Sequence, residues 1–237
     1  MMIDKYNLQA RLYPSVIVLL PVFIVGVVYI TDIEEYYHYF TALISLGLLS
    51  FLLSQLGRDM GKNKEIELYK IWGGKPSVQI LRHTSSYLDS ITKERYRKKL
   101  TNLIEGLELP NTEEENRNQT KADELYESCS KYLISKTRDT KKFNLLFKEL
   151  INYGFRRNLW GMKPIALVLV FISLSIHIVM VTNYFTVFSE IQPKDFIFFV
   201  ILLAIILFWL IIVKRNWVKL TAFAYAERLY ESLNELN

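Results

Sequence analysis

Four long apolar runs constrain this chain more than any other feature in it. Leu12–Ile30, Tyr39–Leu56, Ile165–Phe185 and Phe196–Val213 contain a single residue of the Asp, Glu, Lys, Arg and His set, His177. Each run approaches the roughly 20 residues that a helix needs to cross a bilayer. Within lipid the backbone amides must find partners inside their own segment, so each run is expected to be helical. The pattern predicts an all-α membrane protein with four spans. The expected layout is an N-terminal tail and hairpin over 1–56, with spans at about 12–30 and 39–56. A helical cytoplasmic domain follows over 57–163, then a second hairpin over 164–213 with spans at about 165–185 and 196–213. An amphipathic helix closes the chain over 214–237.

The charges set an expected orientation. Gly57–Pro164 carries 22 Lys/Arg and 15 Asp/Glu within a chain of net charge +5. The loop Thr31–Tyr37 holds Asp32, Glu34 and Glu35 and no basic residue, and Thr186–Asp195 holds Glu190, Lys194 and Asp195. Basic residues crowd the opposite ends of the runs: Arg11, Arg58, Lys62, Arg156, Arg157, Lys163, Lys214 and Arg215. The positive-inside rule places both termini and the long middle segment in the cytoplasm. Tyr29, Tyr36, Tyr37, Tyr39, Tyr184, Phe185 and Phe188 form the expected outer aromatic belt. The first run lacks a small-residue cleavage pattern and leads into a second span, so it reads as a span rather than a signal peptide. Cys129 is the only cysteine, which excludes a disulfide within the chain.

The middle segment has helical periodicity. Tyr96, Leu100, Leu103 and Leu107 recur at spacings of four and three, as do Ala122, Leu125, Cys129 and either Tyr132 or Leu133. Phe143, Leu146, Phe147, Leu150 and Ile151 form the clearest stripe, and Leu220, Phe223, Ala226, Tyr230 and Leu233 form another. Val78, Leu81, Leu88 and Ile91 predict a helix opened by Pro76. Thr120–Asp123 reads as a capping box. Gly106–Gln119 reads as a polar loop in which Glu113–Glu115 are solvated. The second run is expected to continue as helix beyond Gly57, and the domain's last helix to approach the third span through Phe155–Lys163.

An echo links Ile71-Trp-Gly-Gly-Lys-Pro76 to Leu159-Trp-Gly-Met-Lys-Pro164. Both copies are expected to be helix–turn–helix corners, with Gly ending one helix and Pro opening the next. For the first copy a second possibility stands beside this one. Amides after Gly73-Gly74, with Lys75 at a helix N-terminus, can hold a phosphate.

Enzymatic signatures are missing from the sequence. Gly74-Lys75-Pro76-Ser77 departs from a P-loop, because Tyr69 stands at the required first glycine and Pro separates Lys from Ser. There is no HExxH, CxxC or GxSxG, and His38, His83 and His177 are dispersed. A non-enzyme without metal or cofactor is expected. Ser173 and His177 share a face of the third run, and an ionisable group in a span usually faces the bundle interior or a water path. They are the candidate pore or gate residues, with a neutral helix-to-helix hydrogen bond as the alternative for His177. Thr41, Ser45, Ser50 and Ser54 suit close helix packing. Four spans are few for an independent pore, so conduction calls for a symmetric homo-oligomer, here taken as a tetramer. Lys75, Arg82, Arg138, Lys141, Lys142, Arg156 and Arg157 are the candidate contacts for ligand phosphates. Interleaved aromatics allow base stacking, and solvated helix faces or anionic lipid offer the plainer explanation of the same charges.

Two segments, KIWGGKPSVQILRH (Lys70–His83) and TRDTKKFNLLFKELINYGFRRNLWGMKP (Thr137–Pro164), resemble the four-span membrane effectors of Hailong-type anti-phage defence systems. The resemblance covers the cytoplasmic half and the span layout. It implies an oligomeric ion channel in the bacterial inner membrane, controlled by a nucleotide or single-stranded DNA made by a partner nucleotidyltransferase. It supplies no catalytic residues. A membrane-anchored adaptor that recruits a cytoplasmic protein, and a membrane-disrupting toxin that needs no ligand, remain as other readings of the residues.

Overall fold

A computed structural model describes residues 4–29, 37–184 and 192–236, with side chains described only from residue 43 onward in the second segment and only through 182. The described residues are helical and contain no strand. The loop residues 31–36 and 186–191, and the side chains of Tyr36, Tyr37, Tyr39, Thr41, Tyr184, Phe185 and Phe188, lie outside what is described.

A π-helical turn, Asn7–Leu12, leads into α1 (Tyr13–Tyr29). The long α2 (Tyr37–Trp72) follows, then α3 (Pro76–Gln79), α4 (Ser90–Leu103), α5 (Thr112–Arg117) and α6 (Gln119–Lys136). The longest helix, α7, covers Asn144–Tyr184. Helix α8 (Pro193–Leu207) continues in a π-helical turn, Phe208–Ile212, and α9 (Arg215–Glu231) ends the chain in a short 3-10 turn.

Among the described residues, three stretches are long and apolar enough to cross a membrane: Asn7–Tyr29, Asn144–Thr182 and Pro193–Ile212. The second apolar run forms the first half of α2, where Leu43, Ile44, Leu48, Phe51, Leu52 and Leu56 are exposed. Such continuous exposed apolar surface is unstable in water and fits lipid.

The chain divides into two compact units, residues 1–64 with 154–218 and residues 65–153 with 219–237. The divisions fall inside α2, α7 and α9 rather than in loops. In the first unit, Val18 of α1 packs with Leu159, Met162 and Ala166 of α7 and with Trp209 and Val213 at the end of the α8 segment. A second cluster joins Val25, Val170, Leu202 and Ile206. Helix α2 meets α7 across glycines. A Cβ added to Gly161 would lie 2.5 Å from the Gly61 nitrogen and 2.7 Å from its Cα. Small residues permit this approach, which dispersion then stabilises. Ser50 and Ser54 are buried as well, whereas Ser45 is exposed.

In the second unit α4, α6 and α9 enclose one apolar core. Tyr96 and Leu100, then Tyr126, Cys129 and Leu133, and then Phe223, Leu229 and Tyr230 supply its centre. Burial pushes the Cys129 thiol up to about 11, so it packs as a small apolar group.

Several local expectations need correction. The helix expected over Val78–Ile91 stops after α3. Asp89 caps a new helix by accepting the Thr92 amide at 2.8 Å, and Ile91 is 80% exposed. The capping box expected at Thr120–Asp123 is replaced by Asn118, whose side chain accepts the Lys121 amide at 3.1 Å. The expected loop Gly106–Gln119 contains α5, which begins with a reciprocal capping box between Asn111 and Glu114. Of the two Trp-Gly corners, only the first turns. Gly73 and Gly74 have φ of +84° and +131°, and Pro76 opens α3. At the second, α7 runs through Gly161 and Pro164. Gly161 has no positive φ and serves close packing instead.

Candidate functional site

The residues expected to hold an anionic ligand separate into groups with different local partners. Lys75 precedes α3, and its ammonium lies 2.7 Å from Glu127 of α6. Arg82 reaches Asp123, one turn earlier on α6, with a bidentate pair at 2.8 and 2.6 Å, and donates a third bond to the Gly73 carbonyl at 2.8 Å. The Gly74 amide donates to the Tyr69 carbonyl at 2.8 Å, and the Gly73 amide to Lys70 at 3.4 Å. These amides therefore close the end of α2. Lys75 and Arg82 together fasten the corner to α6.

Arg138, Lys141 and Lys142 sit roughly 15 Å farther along α6, at its other end. The turn that carries them is fixed by Asp139, whose Oδ1 accepts the amides of Lys141 at 2.9 Å and Lys142 at 3.1 Å. Those backbone bonds hold the Asp139 carboxyl below the usual range. All three basic side chains are exposed. Lys142 donates to the Glu235 carbonyl at 3.2 Å. No described residue supplies a side-chain partner to Arg138 or Lys141, so this turn presents positive charge outward.

Arg156 and Arg157 belong to the first unit. Arg156 donates to the Trp217 carbonyl at 2.9 Å and lies 4.7 Å from the centre of that indole ring. Arg157 is buried beside Asn158, which donates to the Ala10 carbonyl at 2.7 Å.

The second unit also holds a buried polar network that no sequence motif marks. Glu115, 2% exposed, accepts the His83 amide on both oxygens at 3.0 Å and the Tyr126 hydroxyl at 2.5 Å. Arg97 donates to the Leu81 carbonyl and the Tyr126 oxygen, both at 3.0 Å, and to the Pro110 carbonyl. Lys93 gathers the carbonyls of Arg82, His83 and Ser85. Desolvation pulls the Lys93 pKa down, and the Glu115 charge opposes that shift. Desolvation also pushes the Tyr126 pKa up, reinforced by its bond to Glu115. Glu115 thus proves buried rather than solvated, because Tyr126 and the His83 amide surround it. A shallow cavity of about 260 Å³ borders Arg97, His83, Lys98 and Asn111. No spacing in the sequence announces this network, since its members come from four separate segments.

In the apolar bundle, Ser173 and His177 are both buried, His177 at 3% exposure. The Tyr29 hydroxyl lies 2.5 Å from His177 Nδ1, and His177 Nε2 lies 3.1 Å from the Asp195 carbonyl. A carbonyl only accepts, so Nε2–H donates to it, and in the neutral ring Nδ1 then accepts from Tyr29. His177 thereby connects α1, α7 and the start of α8. The bounding space, lined by Ile24, Val25, Val28, Phe198 and Leu202, is apolar and tight. Asp195 is buried in the first turn of α8. Among the described residues no group of three His, Cys, Asp or Glu side chains could hold a metal ion.

Compared with known proteins, the chain matches no family model, no curated sequence and no solved structure.

Proposed function

We propose that this chain is the four-span membrane subunit of a homo-oligomeric ion channel, an effector of bacterial anti-phage defence controlled by a nucleotide or single-stranded DNA. The observation that carries this reading is the continuity of α2, α7 and α9 through the divisions between the units. Candidate ligand contacts and candidate spans thus fall in different units that share the same helices. The first half of α2 supplies the fourth span in this scheme, supported by its exposed apolar surface. Both termini and residues 57–163 lie on the cytoplasmic side of the inner membrane. The resemblance carried by Lys70–His83 and Thr137–Pro164 points the same way.

Arg138, Lys141 and Lys142 are the foremost ligand contacts, because their turn is rigid and its cations face outward. Lys75 and Arg82 act one step behind, as the clasp between the corner and α6. Ser173 and His177 lie inside the bundle of a single chain, where His177 ties helices whose rearrangement would gate conduction.

Ion flux from liposomes carrying the purified chain, with and without oligonucleotides or cyclic nucleotides, tests this reading. Ligand-dependent flux supports it. Reversal of Lys141 and Lys142 to Glu should weaken oligonucleotide binding and lower the salt slope by about 0.7 for each phosphate no longer neutralised. Binding and slope unchanged in that variant would remove the turn from the site.

A membrane-anchored adaptor has one specific observation in its favour. Ile91, Leu145 and Leu220 of the second unit are exposed, Leu220 at 65%. A stoichiometric protein partner that co-purifies, with no flux under any condition, would favour the adaptor.

A further inference from the structure

The break between the α8 segment and α9 forms a cationic pocket that the proposed channel does not use. Val213 leaves helical geometry, with φ −75° and ψ +84°, and its carbonyl is held by the Lys163 ammonium at 2.8 Å. Around this point lies an open pocket of about 440 Å³ lined by Trp160, Lys163, Leu210, Lys214, Arg215 and Asn216. Lys163 and Lys64 both approach the Trp160 ring, with nitrogens 5.6 and 5.7 Å from its centre. Lys64 and Lys214 are close enough to repel Lys163. Lys64 and Lys163 thus flank one indole, and Lys214 and Arg215 line the pocket beside it. No described carboxylate pairs with any of them, and none lines the pocket. Lys163 uses one of its three donors on Val213, which leaves two.

We propose that this pocket holds the phosphate of an anionic phospholipid headgroup. A soluble phosphate would satisfy the same cations, but the pocket's other wall favours the lipid. Leu210 lines it, and Leu207, Ile211 and Ile212 beside it are exposed. A headgroup bound at the cations would lay its acyl chains along that surface. Trp160 joins the two halves, as an indole at a membrane interface does. Basic pockets between helix ends are suited to such headgroups. The bound lipid would relieve the mutual repulsion of the lysines and fasten α7 to the start of α9. The inference requires a membrane protein but not a channel, and its test reads lipid rather than flux.

Native mass spectrometry of the full chain, released from detergent with phosphatidylglycerol or phosphatidylcholine, provides that test. Wild type should retain phosphatidylglycerol selectively. Changing Lys163, Lys214 and Arg215 together to Gln should weaken retention by about fivefold per charge removed. Neutralising Lys121, Lys136 and Lys148 should leave it unchanged. If the triple variant loses helicity, Arg215→Gln alone decides the matter, since Arg215 is exposed and forms no described side-chain bond. Equal retention of both lipids, or retention unaffected by the pocket substitutions, would overturn the proposal. Displacement of the lipid by millimolar inorganic phosphate would assign the cations to a soluble ligand and overturn it equally.

Discussion

Glu115 shows how far local composition misleads at the level of single residues. It stands in an acidic, polar stretch that reads as solvated, yet it is enclosed by the Tyr126 hydroxyl and the His83 amide. Burial there depends on segments distant in sequence, so periodicity cannot reveal it. The charge is a necessary counterweight to Lys93 and Arg97, which share its apolar surroundings. Glu115→Gln should therefore destabilise the second unit by about 3 kcal/mol, visible as a lowered melting temperature. An unchanged melting temperature would show the network to be ornamental. Glu127 is a gentler case. The hydrogen bond from Lys75, aided by Lys131, holds its carboxyl below the ordinary glutamate value of 4.5. Because the folded group gives up its proton more readily than the unfolded one, the pair stabilises above pH 4.5. That contribution fades as pH falls through the lower folded value. Glu127→Gln should be slightly less stable than wild type at pH 7, and the two melting curves should converge in acid. A constant difference at all pH values would mean that the pair does not act through its charge.

Among the helices, the apolar stripes were the most legible features. The stripe from Phe143 to Ile151 begins just ahead of α7 and runs into its first turns, and Phe223, Ala226, Tyr230 and Leu233 face the second core, whereas Leu220, expected in the same stripe, is exposed. Caps and short helices were less legible, because several Asn, Asp and Thr residues near α4, α5 and α6 compete for the same role. The Trp-Gly echo shows why a shared motif need not share a conformation. Gly73-Gly74 uses freedom of backbone angle, whereas Gly161 uses only the lack of a side chain. The second use yields a sharp prediction. Gly161→Ala places a methyl group against the backbone of Met60 and Gly61, which cannot rotate aside. Helices α2 and α7 would have to separate, at a cost of about 1–3 kcal/mol. Thermal unfolding in detergent should register this, while Gly47→Ala, with open space around it, should not. Equal behaviour of the two variants would contradict the close helix packing.

For the molecule as a whole, apolar helices of membrane-spanning length were legible from three of the four uncharged runs. The candidate sites were less so. Lys75, Arg82, Arg138, Lys141 and Lys142 look alike in sequence. Only the fold separates the first two, held by carboxylates, from the cations of the Asp139 turn. Nor did the sequence mark 219–237 as sharing a compact unit with 65–153. That sharing bears on the order of events during synthesis. Phe223, Leu229, Tyr230 and Leu233 belong to the core built on Tyr126 and Leu133, but they leave the ribosome after the last apolar helix has been made. The core therefore stays open while that helix emerges, and it closes only once residues 219–237 have followed. A nascent chain stalled before residue 219 would expose the apolar faces of α4 and α6 to proteases and chaperones, however completely its apolar helices had formed.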